Sequence, residues 1–233
     1  GNVGGVGNTV EDLLHVPENN LQLPDFGAWE LKSQRAETSS LLTLFHLEPL
    51  PRSARFVPRL LLPNYGWPHQ DAGTLYPKDE KSFRQTITTT EYSDRGFKVV
   101  VDHSSRRISI DFNFQAIDER HAAWRDSVRE RIGDGPLSPA PYWAFDDIEK
   151  KLHTKLKNLM YVKAESKKAE GEELFKYTHL EAHVDPSLER FLALLDAGLI
   201  YVDFDARTGH NHGTKFRIRP SAKKDLYQDH IGV

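Results

Sequence analysis

The run Leu23-Pro-Asp-Phe-Gly-Ala-Trp-Glu-Leu-Lys-Ser-Gln-Arg35 sets two carboxylates and an amine at a spacing that suits hydrolysis assisted by a divalent metal. In an extended strand successive side chains alternate faces, so Glu30 and Lys32 project to the same side, roughly 6 to 7 Å apart, while Trp29 and Leu31 face the other way. Asp25 precedes the strand in a Pro-Asp-Phe-Gly turn, from which its carboxylate can bend in beside Glu30. Two carboxylates of this kind suit Mg²⁺, which takes oxygen ligands and keeps several waters. Lys32 is then placed to orient an attacking water. The competing reading is a solvated strand face with an exposed ion pair of little energetic worth, because acid-x-lysine recurs by chance in a chain that is 28% charged.

The elements around this strand must hold it in place. Asn8-Thr-Val-Glu-Asp-Leu-Leu-His-Val16 reads as a short helix with Thr9 as N-cap and Asp12 in the capping-box position. Glu11 falls on its first turn, Val10, Leu13 and Leu14 on its packed side, and Pro17 closes it. Glu11 lies fourteen residues before Asp25.

Gly7-Asn-Thr-Val-Glu-Asp-Leu-Leu14, Pro17-Glu-Asn-Asn20, Pro24-Asp-Phe-Gly27, Glu30-Leu-Lys-Ser-Gln-Arg35 and Leu41-Leu-Thr-Leu-Phe-His46 together resemble the opening of the MvaI/BcnI family of type II restriction endonucleases. That family is related to the mismatch-repair nicking enzyme MutH and has the PD-(D/E)xK nuclease fold. The resemblance implies an α/β protein with a mixed sheet flanked by helices and two lobes around a DNA cleft. It implies Asp25, Glu30, Lys32 and Glu11 as the catalytic set, with Asp25 and Glu30 on Mg²⁺ and Glu11 assisting a second metal or organising the first through water. The 3′ oxygen would leave, giving 5′-phosphate ends, and a monomer would nick one strand and then the other.

Composition agrees with such a protein. With 233 residues, 38% of them hydrophobic, the chain can bury a substantial core. No apolar run approaches the roughly 18 residues that would span a bilayer and no signal peptide opens the chain, so a cytoplasmic, prokaryotic location is expected. The absence of cysteine removes disulfides, thiolate metal sites and cysteine nucleophiles. The chain begins at glycine rather than methionine, as expected of a trimmed or excised segment with neighbouring domains. A net charge of −3 argues mildly against a nucleic acid partner, but the cations are clustered. Lys150, Lys151, Lys155, Lys157, Lys163, Lys167 and Lys168 crowd one segment, and Lys215, Arg217, Arg219, Lys223 and Lys224 another, so a basic cleft on an acidic body is feasible.

Along the chain, residues 40–47 form an apolar run expected to pair beside the Glu30 strand. Six prolines between residues 49 and 82 predict a long irregular excursion, either a DNA-contacting arm carrying Arg52, Arg55, Arg59, Tyr65, Trp67 and His69 or simple surface wrapping. Strands are expected over 86–90, 97–102 and 107–114, the last alternating Ile108, Ile110, Phe112 and Phe114 against polar residues, with His103-Ser-Ser-Arg106 as a hairpin turn. A helix over 121–132 ends at Gly133. Pro136, Pro139 and Pro141 then mark a boundary between a catalytic lobe at 1–135 and a second lobe at 136–233. A helix over 144–159 feeds a strand over 159–164, and Lys155 in this stretch fits a lysine that the resemblance to MutH places near the active site, phosphate binding or a solvated face being its expected role. The helix over 187–197 presents Leu188, Phe191, Leu192 and Leu195 to the core.

The second stretch with chemistry is a terminal hairpin. Tyr201, Asp203 and Asp205 alternate with Val202 and Phe204, and Lys215, Arg217 and Arg219 alternate with Phe216 and Ile218. Cross-strand ion pairs on a solvated sheet would explain the pattern. So would base reading, since carboxylates accept from cytosine N4 and arginine donates twice to guanine O6 and N7. Ala206-Arg-Thr-Gly-His-Asn-His-Gly213 is expected to form the loop between the strands, carrying Arg207, His210 and His212. The run His212-Gly-Thr-Lys-Phe-Arg-Ile-Arg-Pro220 is similar to the DNA-contacting arm of MutH and the recognition hairpin of MvaI/BcnI enzymes. The resemblance makes Asp205, Arg207, His212, Arg217 and His46 base-contact candidates, with His210, Lys215, Arg219 and Lys155 as further DNA contacts. His179-x-Glu181-x-His183 would share a strand face but lacks a fourth metal ligand.

Three functions remain open on these residues: a restriction endonuclease acting on a short G·C-rich duplex site, with a cognate DNA methyltransferase as system partner; a MutH-like nicking enzyme; and a DNA-binding module with a degenerate nuclease site.

Overall fold

The computed structural model describes residues 5–15, 25, 27–169 and 172–232. The elements are α1 (Gly5–Leu13), β1 (Glu30–Arg35), β2 (Leu42–His46), α2 (Leu62–Tyr65), β3 (Trp67–Pro68), β4 (Lys81–Ile87), β5 (Arg95–Asp102), β6 (Arg107–Ile117), α3 (Ala122–Ile132), β7 (Tyr142–Ala144), α4 (Phe145–Lys155), β8 (Asn158–Ala169), β9 (Glu172–Pro186), α5 (Leu188–Asp196), β10 (Ile200–Arg207), β11 (His210–Ile218) and β12 (Tyr227–Gly232). Short 3₁₀ turns occupy Arg52–Ala54, Glu119–His121 and Pro220–Leu226. No helix among the described residues is long and apolar enough to cross a membrane.

The chain forms two compact units that interleave in sequence: residues 1–41, 148–191 and 219–233 make one, residues 42–147 and 192–218 the other. The contiguous division expected at residue 135 therefore does not describe the packing. Its reason is hydrogen bonding. β1 must satisfy its backbone groups laterally, and it does so in parallel with β8, from the second half of the chain.

The first unit is built on a sheet in the order β1-β8-β9-β12. β1 and β8 run parallel, with Glu30 opposite Leu159, Lys32 opposite Tyr161 and Gln34 opposite Lys163. β8 and β9 form a long antiparallel hairpin that sets Leu159, Tyr161 and Lys163 opposite His183, Glu181 and His179. One face of the sheet carries Leu31 and Val162, which pack with Val10 of α1, Met160 and Tyr177. The helix α1 begins earlier than expected. Thr9 is inside it, its Oγ1 donating to the Gly5 carbonyl at 2.7 Å, so it is not the N-cap. Val6 and Val10 are the buried residues of α1, whereas Leu13 and Leu14 are exposed. The closing proline, Pro17, lies outside the described residues.

The second unit holds a five-stranded sheet, β2-β11-β10-β4-β3, and a three-stranded sheet, β5-β6-β7. β2 pairs with β11 and not with β1, which corrects the expectation for residues 40–47. The proline-rich stretch is also more ordered than expected. Pro58 and Pro63 sit in the first turns of helical segments, where a missing N–H costs nothing, and Phe56, Val57, Leu61, Leu62 and Tyr65 are buried. Arg52, Arg55 and Arg59 remain exposed, while His69 is buried. Aromatic contacts knit this unit's core: Phe83 to Phe97 at 5.4 Å, Phe97 to Phe112 at 4.9 Å, and Trp143 to Phe216 at 5.2 Å. Trp143 Nε1 and Trp124 Nε1 donate to the Leu47 and Tyr65 carbonyls, so both indoles are buried without an orphaned donor.

Candidate active site

Period-two alternation puts Glu30, Lys32 and Gln34 on the sheet face opposite Leu31 and Val162, and Tyr161 Oη confirms the register by donating to Gln34 Oε1 at 2.8 Å. Glu30 is fully buried. Its Oε1 pairs with Lys32 Nζ, and its Oε2 lies 3.4 Å from Lys155 Nζ. Asp25 is held at the head of the strand because its Oδ2 accepts from the Leu31 amide at 3.1 Å. Burial pushes the Glu30 carboxyl above the usual carboxylate range; Lys32 and then Lys155 oppose that, and the neighbouring charge of Asp25 adds to it. Tyr227 is buried on the same unit, its hydroxyl raised by burial and by the charge of Glu30 and lacking a hydrogen-bond partner among the described residues.

The donor chemistry fits a hard divalent cation. The charge of Asp25 bears on Glu30, and Glu30 Oε2 is a buried oxygen that faces only the Lys155 ammonium at 3.4 Å without a hydrogen bond, which leaves it able to accept a metal. Glu11 is placed differently. It sits on α1, whose Val10 side packs on the Leu31 and Val162 face, and no group of three His, Asp or Glu side chains able to hold a metal forms among the described residues. Lys155 is also not where an open phosphate-binding surface would put it. As the last residue of α4 it is delivered to Glu30 by the short connection from α4 into β8.

The terminal hairpin lies in the second unit. Val202, Phe204 and Ala206 are buried, as the alternation requires, and the other face is a lattice of ion pairs. Asp203 accepts from Thr86 Oγ1 at 2.6 Å and lies 3.4 Å from Arg217 Nη1. Asp205 lies 2.9 Å from Arg84 Nε, 3.8 Å from Lys215 Nζ and 4.0 Å from His212 Nε2. Arg207 stacks over Tyr76 at 4.6 Å and pairs with Glu80 at 3.1 Å. The loop expected between the strands shrinks to Thr208 and Gly209, so His210 and His212 stand on β11 with their rings 4.3 Å apart. His46 is exposed on β2 opposite Lys215. Arg219 follows the end of β11 at Ile218 and opens the segment 219–233 that belongs to the first unit.

Arg84, Thr86, Glu80 and Tyr76 are partners of this surface that sequence reasoning missed. β4 starts at Lys81, five residues before the strand expected there. Its alternation of buried Phe83, Gln85 and Ile87 was the available signal, and it sets Arg84 and Thr86 on the face of Asp205 and Asp203.

The sequence profile of the MvaI/BcnI restriction endonuclease family matches residues 1–227. The fold is similar to that of a solved complex of restriction endonuclease MvaI with its cognate DNA substrate, with a TM-score of 0.78 and 26% identity over 100% of this chain and 88% of that one. It is also similar to MvaI solved in the absence of DNA, with a TM-score of 0.56 and 22% identity over 97% and 83% of the two chains. No curated protein gives a significant match. Enzymes of the matching family generally use a divalent metal.

Proposed function

The chain belongs to the MvaI/BcnI restriction endonuclease family and is a type II site-specific deoxyribonuclease, and from that premise we propose that it hydrolyses duplex DNA at a short G·C-rich site with Mg²⁺ held by Asp25 and Glu30. The observation that carries this reading is the buried Glu30 carboxylate, set beside Asp25 and between Lys32 and Lys155. A bound Mg²⁺ would polarise the scissile phosphate and lower the pKa of a water. The remaining work falls to the side chains. Lys32, with a partly exposed ammonium, orients the attacking water or meets the charge that builds on the phosphate oxygens. Lys155 and Lys32 together favour the ionised form of Glu30 against its burial, which metal binding requires. The 3′ oxygen leaves, and the product carries a 5′ phosphate. Glu11 contributes from α1 outside the metal pair.

Recognition belongs to the β10–β11 surface. The MvaI structure with its cognate DNA supports duplex DNA as the ligand of this chain. Arg217 and Arg84 can exchange their carboxylate partners for guanine edges, while Asp203 and Asp205 accept from cytosine amines. His46, Arg207, His210, His212 and Lys215 complete the reading surface. One catalytic set per chain fits a monomer that nicks each strand in turn.

The test is incubation with plasmid DNA and Mg²⁺. Discrete linear fragments are expected, and Asp25→Ala or Lys32→Ala abolishes cutting while circular dichroism shows the fold retained. Full resistance across methylated and unmethylated plasmids would overturn the reading, and nicked circles alone would redirect it to a strand-nicking enzyme of the MutH kind.

A further inference from the structure

The sheet face that bears Glu30 and Lys32 continues, two strands away, into a second cluster of charged groups. His179, Glu181 and His183 of β9 stand opposite Lys163, Tyr161 and Leu159. Glu181 is the hub: Oε1 meets His179 Nε2 at 2.9 Å, and Oε2 meets His183 Nε2 at 2.8 Å and Lys223 Nζ at 2.5 Å. Lys223 comes from the 3₁₀ turn Pro220–Leu226, is 5% exposed, and rests its ammonium 4.0 Å from the Tyr161 ring. A metal is not what this arrangement awaits, because the carboxylate that would bind one is already taken by an ammonium and two imidazoles.

Beside this hub is an open cavity of about 560 Å³ lined by Lys163, His179, Glu181, Lys223, Lys224 and His230. Three ammoniums face one carboxylate there. Lys163 and Lys224 have no carboxylate partner among the described residues; burial holds the Lys223 ammonium below the usual lysine range against the pull of Glu181, and the charges of Lys163 and Lys224 add to that lowering. A concavity lined mainly by one sign of charge focuses its field and concentrates counter-ions, here anions. Adjacent strands are about 4.8 Å apart, so the cavity lies about 10 Å from the Lys32 column on the same face. That is the neighbourhood of a phosphate close to the scissile one on the same strand.

We propose that this cavity is a second phosphate seat, in which Lys163 and Lys224, backed by the buried Lys223, grip a backbone phosphodiester of the strand being cut. The proposal rests on the nuclease reading above and deepens it: the catalytic sheet itself, not the recognition hairpin, fixes the strand's register over Glu30. Glu181 and its two histidines act as the mount that holds Lys223 in place.

The experiment measures the salt dependence of duplex binding, without metal, for the wild-type protein and for Lys163→Ala/Lys224→Ala, both exposed or half-buried positions whose truncation leaves the sheet intact. Loss of one phosphate contact lowers the slope of log K against log salt by about 0.9. The double variant should show that loss equally on cognate and unrelated duplexes, and a single uncharged methylphosphonate near the cut position should weaken the wild type but not the variant. An unchanged slope in a protein that still binds and cuts overturns the phosphate seat alone. A wild-type protein that neither binds nor cuts duplex DNA overturns the nuclease reading and the seat together.

Discussion

Lys155 Nζ stands 3.4 Å from Glu30 Oε2 while Lys32 Nζ occupies Oε1, so a fully buried carboxylate is clasped by two lysines from separate elements. One comes from the same strand, two residues on. The other arrives from the end of α4, well over a hundred residues later in the chain. Both ammoniums compete with any metal for the same oxygens, and both also make the anion tolerable in a buried place.

Replacing Lys155 with methionine should separate these effects. Removal of a nearby positive charge favours a divalent cation, so half-saturating Mg²⁺ for cutting should fall several-fold in Lys155→Met. The metal-free protein should lose about 1 to 3 kcal/mol, less than for a solitary buried pair because Lys32 still faces the carboxylate. Metal titrations of cutting and of thermal stability read both quantities. A half-saturating concentration that rises would show Lys155 helping to hold the metal site rather than competing for it.

Glu181 offers a pH signature in the same unit. Burial alone would raise its carboxyl, but Lys223 above all, with His183 and His179, brings it down to about 2 from an ordinary 4.5. A carboxylate depressed in the folded state contributes stability that is complete above its unfolded pKa and disappears as pH falls toward its folded value. The stability difference between wild type and Glu181→Gln should therefore be largest above pH 4.5, shrink as the pH falls through about 2, and vanish below it. Thermal unfolding in a pH series measures it. A difference that stays constant from neutral to acid pH would mean that the hub acts by shape and not by charge.

Much of this is legible in the sequence. The Glu30 and Lys32 face follows from period-two alternation alone, and so does the division of β10 into buried Val202 and Phe204 against charged Asp203 and Asp205. What sequence could not provide was lateral partnership. β2 pairs with β11 across most of the chain's length, and nothing local to residues 42–46 encodes that choice. Only the middle of β9 shows in the sequence, as the shared face of His179, Glu181 and His183; its alternate residues are exposed and mostly charged or polar, so its full length lacks the apolar stripe that marks a half-buried strand. Lys155 was visible as a lysine near a helix end that resembles one near the active site of MutH. Only the turn into β8 and the parallel pairing of β8 with β1 bring it to Glu30.

The ion pair of Arg217 with Asp203 is where structural and recognition roles can be told apart. Asp203 is 8% exposed and keeps Thr86 Oγ1 as a donor at 2.6 Å, so truncating Arg217 leaves the carboxylate with a hydrogen bond. Arg217→Ala should therefore lower thermal stability only modestly. If its guanidinium donates to a guanine edge, the lost contact is worth about 1 to 3 kcal/mol of discrimination, or roughly 5- to 150-fold between the cognate site and a site changed at that base pair. Competition cutting of paired substrates differing at single positions measures this, and the loss should centre on one base pair. Uniform weakening at every position would assign Arg217 to the backbone, and unchanged discrimination with a large drop in stability would leave it as a partner of Asp203 and nothing more.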